Sequence, residues 1–155
     1  MDDPRASLDA LLADYYAKFG AFDFAALRGH WDVEDPEPIY LAEEIGAFLY
    51  DWPAIERYWA DTRRVLERLA ARHWDLRVRL LAPGLAIGTW RMHWDCEVRG
   101  QPKPVGGEVR VTATFRRKPA GWKLVHYVEA PLAPIVYVRT LYEGQVTPGF
   151  AGTPG

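Results

Sequence analysis

Residues 107–131, GEVRVTATFRRKPAGWKLVHYVEAP, carry the reading that decides the fold. Two alternating runs flank a turn at Pro119-Ala120-Gly121. In the first, Val111, Ala113 and Phe115 alternate with Arg110, Thr112, Thr114 and Arg116, the period of a half-buried strand. In the second, Trp122, Leu124, His126 and Val128 alternate with Lys123, Val125, Tyr127 and Glu129. Both sets are largely apolar, so this strand is expected to be covered on both faces.

The period of two extends backwards from this hairpin. Leu85 to Val98 reads as a long strand, Pro83-Gly84 as the turn before it, and Leu76, Val78 and Leu80 as the preceding strand, starting near Trp74. A loop from Gly100 to Gly107 joins the long strand to the hairpin. Upstream the period is helical. Leu8, Leu11, Leu12, Tyr15, Tyr16 and Phe19 mark a first helix with Ser7 as its cap and Gly20 as its stop. Asp23 caps a shorter segment, FAALRGH, and the proline-bearing loop VEDPEP follows. Ile39 to Leu41 and Ala47 to Tyr50 read as a short hairpin around Glu43 to Gly46. Asp51 or Trp52, followed by Pro53, opens a third helix expected to run to Arg72, with Ile55, Tyr58, Trp59, Thr62, Val65, Leu66 and Leu69 on its buried stripe. Helices followed by an antiparallel meander make an α+β chain. Pro134 to Tyr142 is expected as a terminal helix or extended arm, and the final TPGFAGTPG as disordered. The division is a tail at 1–7, a domain at 8–131, and an arm and tail at 132–155.

Composition excludes several classes. The chain has 155 residues, 49% hydrophobic and 26% charged, with a net charge of −2, which suits one globular domain with an ordinary core. No basic excess points to nucleic acid. The acidic start MDDPRASLDALL lacks a signal-peptide core and no run reaches membrane-spanning length, so a cytoplasmic protein without membrane contact is expected. The lone Cys96 reads as a small buried side chain, and His30, His73, His93 and His126 fall on different elements, so no metal site is expected. Seven Trp, eight Tyr and six Phe are the compositional anomaly, and they either fill a thick core or wall an apolar cavity.

The order of elements, with the pair RVTATFRR and GWKLVHYVE, resembles the nuclear transport factor 2-like superfamily, the cystatin-like α+β cone. The SnoaL-like polyketide cyclase and ketosteroid isomerase-like branches are similar, as is the association domain of calcium/calmodulin-dependent kinase II. Those branches often carry Val-His-x-His-x-Ser in the last strand. Here the first His is His126, while Val128 and Ala130 stand at the second His and Ser positions. The resemblance implies three N-terminal helices packed on a strongly curved antiparallel sheet, forming a cone with an internal pocket. It also implies an apolar small-molecule ligand, no cofactor, and a homodimer through the outer sheet face. Val125 and Tyr127, read as exposed, give that dimer a physical reason.

Candidate residues divide by strand face. TWRMHWDCEV places Thr89, Arg91, His93, Asp95 and Glu97 on one face and Trp90, Met92, Trp94, Cys96 and Val98 on the other. With the polar face inward, His93 and Asp95 are acid and base and Arg91 holds an anionic group. With the apolar face inward, the tryptophans line the pocket and the polar column is solvated or a dimer contact. His126, among apolar neighbours, is a candidate neutral base or a satisfied core histidine. Asp32 follows Trp31 in a region where related enzymes place a pocket acid or base. Tyr15, Trp31, Tyr40 and Trp59 are candidate aromatic walls, with core packing the competing reading. Two functions remain open: a cofactor-independent isomerase, cyclase or dehydratase working by acid/base chemistry, or a non-catalytic ligand-binding or homodimeric assembly module.

Overall fold

The computed structural model describes residues 4–132, 139 and 143–148. Three helices precede most of the sheet: α1 (Pro4–Gly20), α2 (Phe24–Arg28) and α3 (Trp52–Val65), with β1 (Ile39–Leu41) between α2 and α3. The strands β2 (Leu66–Ala82), β3 (Leu85–Val98), β4 (Val105–Lys118) and β5 (Gly121–Pro131) follow. The architecture is α+β, with one five-stranded sheet in the order β1-β5-β4-β3-β2. The sheet is open, with β1 and β2 at its edges.

Local chemistry sets the helix starts. The Asp23 side chain accepts from the Ala26 backbone N–H, and Asp51 accepts from Ala54 with Pro53 behind it in the first turn. The first helix begins at Pro4, ahead of the expected Ser7 cap, so residues 4–7 belong to α1 rather than to a tail. Gly84 and Gly121 turn the hairpins at φ 74° and 116°, a region closed to most side chains.

Three expectations are corrected. The third helix ends at Val65, and Leu66 to Arg72 are strand, because Leu66, Leu69 and Arg72 pair with Val98, Cys96 and His93 of β3. No proline or glycine marks this switch; cross-strand hydrogen bonding imposes it. The sheet is mixed, since Ile39 to Leu41 run parallel to His126 to Val128, and the expected hairpin with Ala47 to Tyr50 shrinks to the single bridge Tyr40–Leu49. The third correction is a bulge in β5. Phe115 pairs Leu124 whereas Thr114 pairs His126, which leaves Val125 unpaired and reverses the face of every later residue. Tyr127 (1% exposed) therefore joins Trp122 and Leu124 on the inner face. His126 and Val128 sit opposite Thr114 and Thr112 on the outer one. Val125 and Tyr127 are both buried in the chain itself, so they supply no exposed patch.

The core lies between the inner sheet face and the helices. Ile55 and Trp59 anchor α3, and Trp59 stacks on Phe24 and meets the edge of Tyr40. At the far end Asp32, 3% exposed, is held by Arg116 at 2.7 Å and Lys118 at 3.2 Å. Burial alone would raise the Asp32 carboxyl, but the hydrogen bonds from Arg116 and Lys118 outweigh it and hold it below the usual range. A carboxyl lowered in the folded state stabilises above its ordinary pKa and loses that contribution as pH falls through the folded value. Asp32→Asn should therefore flatten the acid limb of stability below about pH 4, read by denaturant unfolding from pH 2.5 to 5. An unaltered acid limb would show that the clamp carries no weight.

The 134–142 element lies outside the described residues apart from Arg139, as do residues 149–155 of the tail. Among the described residues, no helix is long and apolar enough to cross a membrane.

Candidate functional site

The alternation of β3 settles which face looks inward. Trp90, Met92 and Cys96 are buried, while Thr89, Arg91 and Asp95 are exposed. A cavity of about 410 Å³ is enclosed by that apolar face, by α1 and α3, and by the Glu43-Glu44 segment that leaves β1. Its walls mix aliphatic and aromatic side chains: Tyr15, Tyr16 and Phe19 come from α1, Tyr40 from β1, Tyr58 from α3, Trp94 from β3 and Tyr127 from β5, with Leu66, Leu69 and Met92 among the aliphatic ones. Gly107 makes room for one wall, since a Cβ there would lie 2.7 Å from the Trp94 ring.

Glu129 is the polar centre of this cavity. The bulge at Val125 turns it inward with Tyr127, and opposite it in the register stands buried Val111. Its Oε1 accepts from the Tyr127 hydroxyl at 2.8 Å and its Oε2 from the Glu43 backbone N–H at 3.1 Å. The Tyr127 oxygen lies 3.0 Å from the Tyr16 hydroxyl, which accepts from Trp90 Nε1 at 2.9 Å. An indole N–H only donates and an ionised carboxylate only accepts, so with Glu129 ionised the chain has one direction: Trp90 to Tyr16 to Tyr127 to Glu129. Bonds aligned head to tail reinforce one another.

Burial is the largest influence on Glu129 and pushes its carboxyl up. The Tyr127 and Glu43 hydrogen bonds pull it down, the Glu44 and Glu43 carboxylates push it up again, and the balance stands at about 7. Burial, with Glu44 beside it, also raises Glu43. The tyrosines Tyr15, Tyr16, Tyr40 and Tyr127 are driven upward by burial and so remain protonated donors at neutral pH. Tyr58 donates to Glu44, and the Tyr15 hydroxyl is buried beside the Trp31 indole with no acceptor for its own proton among the described residues. Burial pushes the Cys96 thiol up, which leaves it protonated rather than nucleophilic.

The sequence candidates are scattered by this geometry. Tyr15 and Tyr40 line the cavity. Trp31 and Trp59 are core residues, 1% and 0% exposed, packed against Tyr40 and outside the lining. Arg91 lies on the outer face, paired with Glu108 and over the Trp74 ring. His93 and Asp95 bond each other at 3.0 Å on that outer face. The polar column thus turns away from the cavity. His126 is also outside the cavity, with Nδ1 3.3 Å from the Thr114 hydroxyl and its pKa lowered by burial. Asp32 belongs to the clamp described above. Alternation across the whole of β5 concealed Glu129, and no Gly or Pro between residues 122 and 130 marks the bulge that turns it inward.

A shallower depression on the outer face is lined by Arg77, Arg91, Arg110 and Thr112. Its arginines already meet Asp75, Glu108 and the Pro131 carbonyl.

Comparison with known proteins places this geometry in a family. The SnoaL-like domain model matches residues 8–134. Comparison with curated proteins found no match. Among solved structures, an NTF2-like protein with a cystatin-like fold from Novosphingobium aromaticivorans has 23% identity and a TM-score of 0.68, over 88% of this chain and 87% of that one. A nuclear transport factor 2 superfamily protein from Salmonella enterica serovar Typhimurium has 14% identity and a TM-score of 0.73, over 84% and 92%. The hexachlorocyclohexane dehydrochlorinase LinA-type3 from Novosphingobium barchaimii has 12% identity and a TM-score of 0.67, over 83% and 90%. At these identities the structural likeness concerns the fold. With the family model spanning most of its length, the chain belongs to the SnoaL-like domain family of the NTF2-like fold.

Proposed function

We propose that the protein is a cofactor-independent acid/base enzyme, of isomerase, cyclase or dehydratase type, that acts on an apolar small molecule in the aromatic cavity, with Glu129 as the proton-transferring group. The observation that carries this reading is Glu129 itself: a carboxyl in the wall of an apolar cavity, held near pKa 7. A group poised there is protonated and ionised in comparable amounts at neutral pH, which suits it to take a proton and return it. Ionised Glu129 removes a proton from carbon, the C–H pair staying on the substrate as the O–H bond forms. The same carboxylic acid then delivers that proton to another carbon, completing an isomerisation, or to a departing hydroxyl, completing a dehydration. Tyr127 and Tyr16 hold the carboxylate in place, and the Tyr15 O–H, which has no acceptor among the described residues, can meet a polar atom of the substrate. The kinship with a dehydrochlorinase fold is compatible with such proton abstraction but does not name a substrate.

The test is proton exchange. In deuterated buffer, NMR should show exchange of acidic C–H positions in a panel of apolar cyclic carbonyl compounds, and Glu129→Gln should slow it by at least about 100-fold. Exchange at an undiminished rate in that variant would remove Glu129 from the chemistry.

A homodimer through the outer sheet face belongs to the same proposal, now resting on Val128 and its neighbours rather than on the buried Val125 and Tyr127. Val128→Lys should move the protein toward monomer in sedimentation; an unchanged dimer would reject that face.

A further inference from the structure

The charge of the cavity is unbalanced. Of its lining residues, Glu43, Glu44, Asp61 and Glu129 are acidic, and none is Lys, Arg or His. Every Lys and Arg of the chain lies among the described residues, and none of them lines the cavity. Asp61 has a partner in Arg64 at 3.0 Å, and Arg63 lies over the Phe22 ring. Among the described residues no ion pair reaches Glu43, Glu44 or Glu129. Glu129 and Glu44 accept from a backbone N–H and tyrosine hydroxyls, and the Glu43 carboxyl meets the Trp94 indole; these neutral groups solvate a carboxylate without neutralising it.

Glu44 and Asp61 stay exposed to solvent, but Glu129 and the half-buried Glu43 hold uncompensated carboxylates against an apolar wall; that is costly, and the cost falls when a positive charge arrives. The remaining walls suit such a charge. Five tyrosines, one tryptophan and one phenylalanine are among the lining residues, and an aromatic ring attracts a cation through its electron-rich face. A ligand bearing a carboxylate or phosphate would be repelled. A neutral hydrocarbon would leave the repulsion among the three glutamates as it was.

We infer that the cavity takes an apolar compound carrying a positive charge, as a protonated or quaternary amine, seated among the tyrosine rings and against Glu43, Glu44 and Glu129. This rests on the reading of the cavity as a ligand and proton-transfer site, and narrows its substrate class. The Tyr15 hydroxyl, buried beside the Trp31 indole, has no acceptor for its own proton among the described residues and is a further group left for that ligand. A substrate of this kind brings the counter-charge the lining lacks, and when ionised Glu129 takes its proton the negative charge left on the substrate carbon is offset by the substrate's own positive charge.

The experiment uses a matched pair, benzyltrimethylammonium and its carbon isostere neopentylbenzene, equal in shape and opposite in the property at issue. Calorimetric titration of the intact protein at pH 8 should give at least about tenfold tighter binding of the cation. Glu129→Gln, Glu43→Gln and Glu44→Gln should each narrow the gap, and the wild-type comparison stands even where a variant folds poorly. Equal or tighter binding of neopentylbenzene would overturn the inference while leaving the proton-transfer reading intact, provided exchange still depends on Glu129. Failure of both probes to bind would overturn the inference and, together with absent exchange, the reading beneath it.

Discussion

Replacing Glu129 by glutamine should stabilise the protein at pH 8 and remove a slope from its pH–stability curve. The folded carboxyl titrates at about 7 against an ordinary 4.5. Between those values the native state holds a proton that the unfolded chain has released. Stability therefore falls as pH rises through this window and levels off above it, the opposite of the behaviour expected at Asp32. The gap corresponds to about 3 kcal/mol at full ionisation. Glutamine removes the charge but turns an NH₂ toward one of two donors, the Tyr127 hydroxyl or the Glu43 N–H, at a cost of about 1 kcal/mol. The expected net gain is about 2 kcal/mol at pH 8, vanishing or reversing near pH 4, in denaturant unfolding of both proteins across that range. A variant less stable than wild type at pH 8 would mean that Glu129 holds the fold together. A variant more stable but slower in proton exchange has the pattern of a site kept for chemistry at the expense of stability.

Trp59→Ala should have the largest structural effect. Trp59 is fully buried, stacks on Phe24 with ring centroids 6.0 Å apart, and meets Tyr40 edge-on. Together with Ile55 it supplies the buried residues of α3, a helix of 14 residues. Truncation removes the indole and leaves a cavity that the sheet and α2 close only in part, costing about 3–5 kcal/mol. Against a total stability of about 5–15 kcal/mol, that is a large fraction. Because Tyr58 and Thr62 reach the ligand cavity from the same helix, the truncation should weaken ligand binding as well as lower Tm. A fall below about 1 kcal/mol would show that α3 is held by other contacts.

Much of the frame was legible because local chemistry fixes it. The Asp23 and Asp51 caps, the Gly84 turn and the full extent of β3 follow from residues adjacent in sequence. Where distant pairing decides, local pattern misleads. Leu66 and Leu69 continue the helical spacing of Ile55 and Trp59, yet hydrogen bonds to Val98 and Cys96 draw them into β2. Alternation also left the facing of β3 undecided between its polar and apolar sides, and burial resolves it in favour of the tryptophans. The site was hidden for a related reason. Strict alternation in β5 groups His126 with Trp122 and Leu124, and one unpaired residue at Val125 exchanges the faces. His126 moves outward and Glu129 inward, so the proposed acid/base group is the residue that periodicity had set on the opposite face. A register slip of one residue is small in sequence and decisive for chemistry.

The most direct test of Glu129 as a near-neutral acid/base group is the NMR titration of its side-chain carboxyl carbon, assigned by comparison with Glu129→Gln. A midpoint near pH 7 is the expected result. A midpoint near the ordinary 4.5 would mean a carboxylate fully ionised at neutral pH, and would contradict both the proton-transfer role and the stability cost assigned to it.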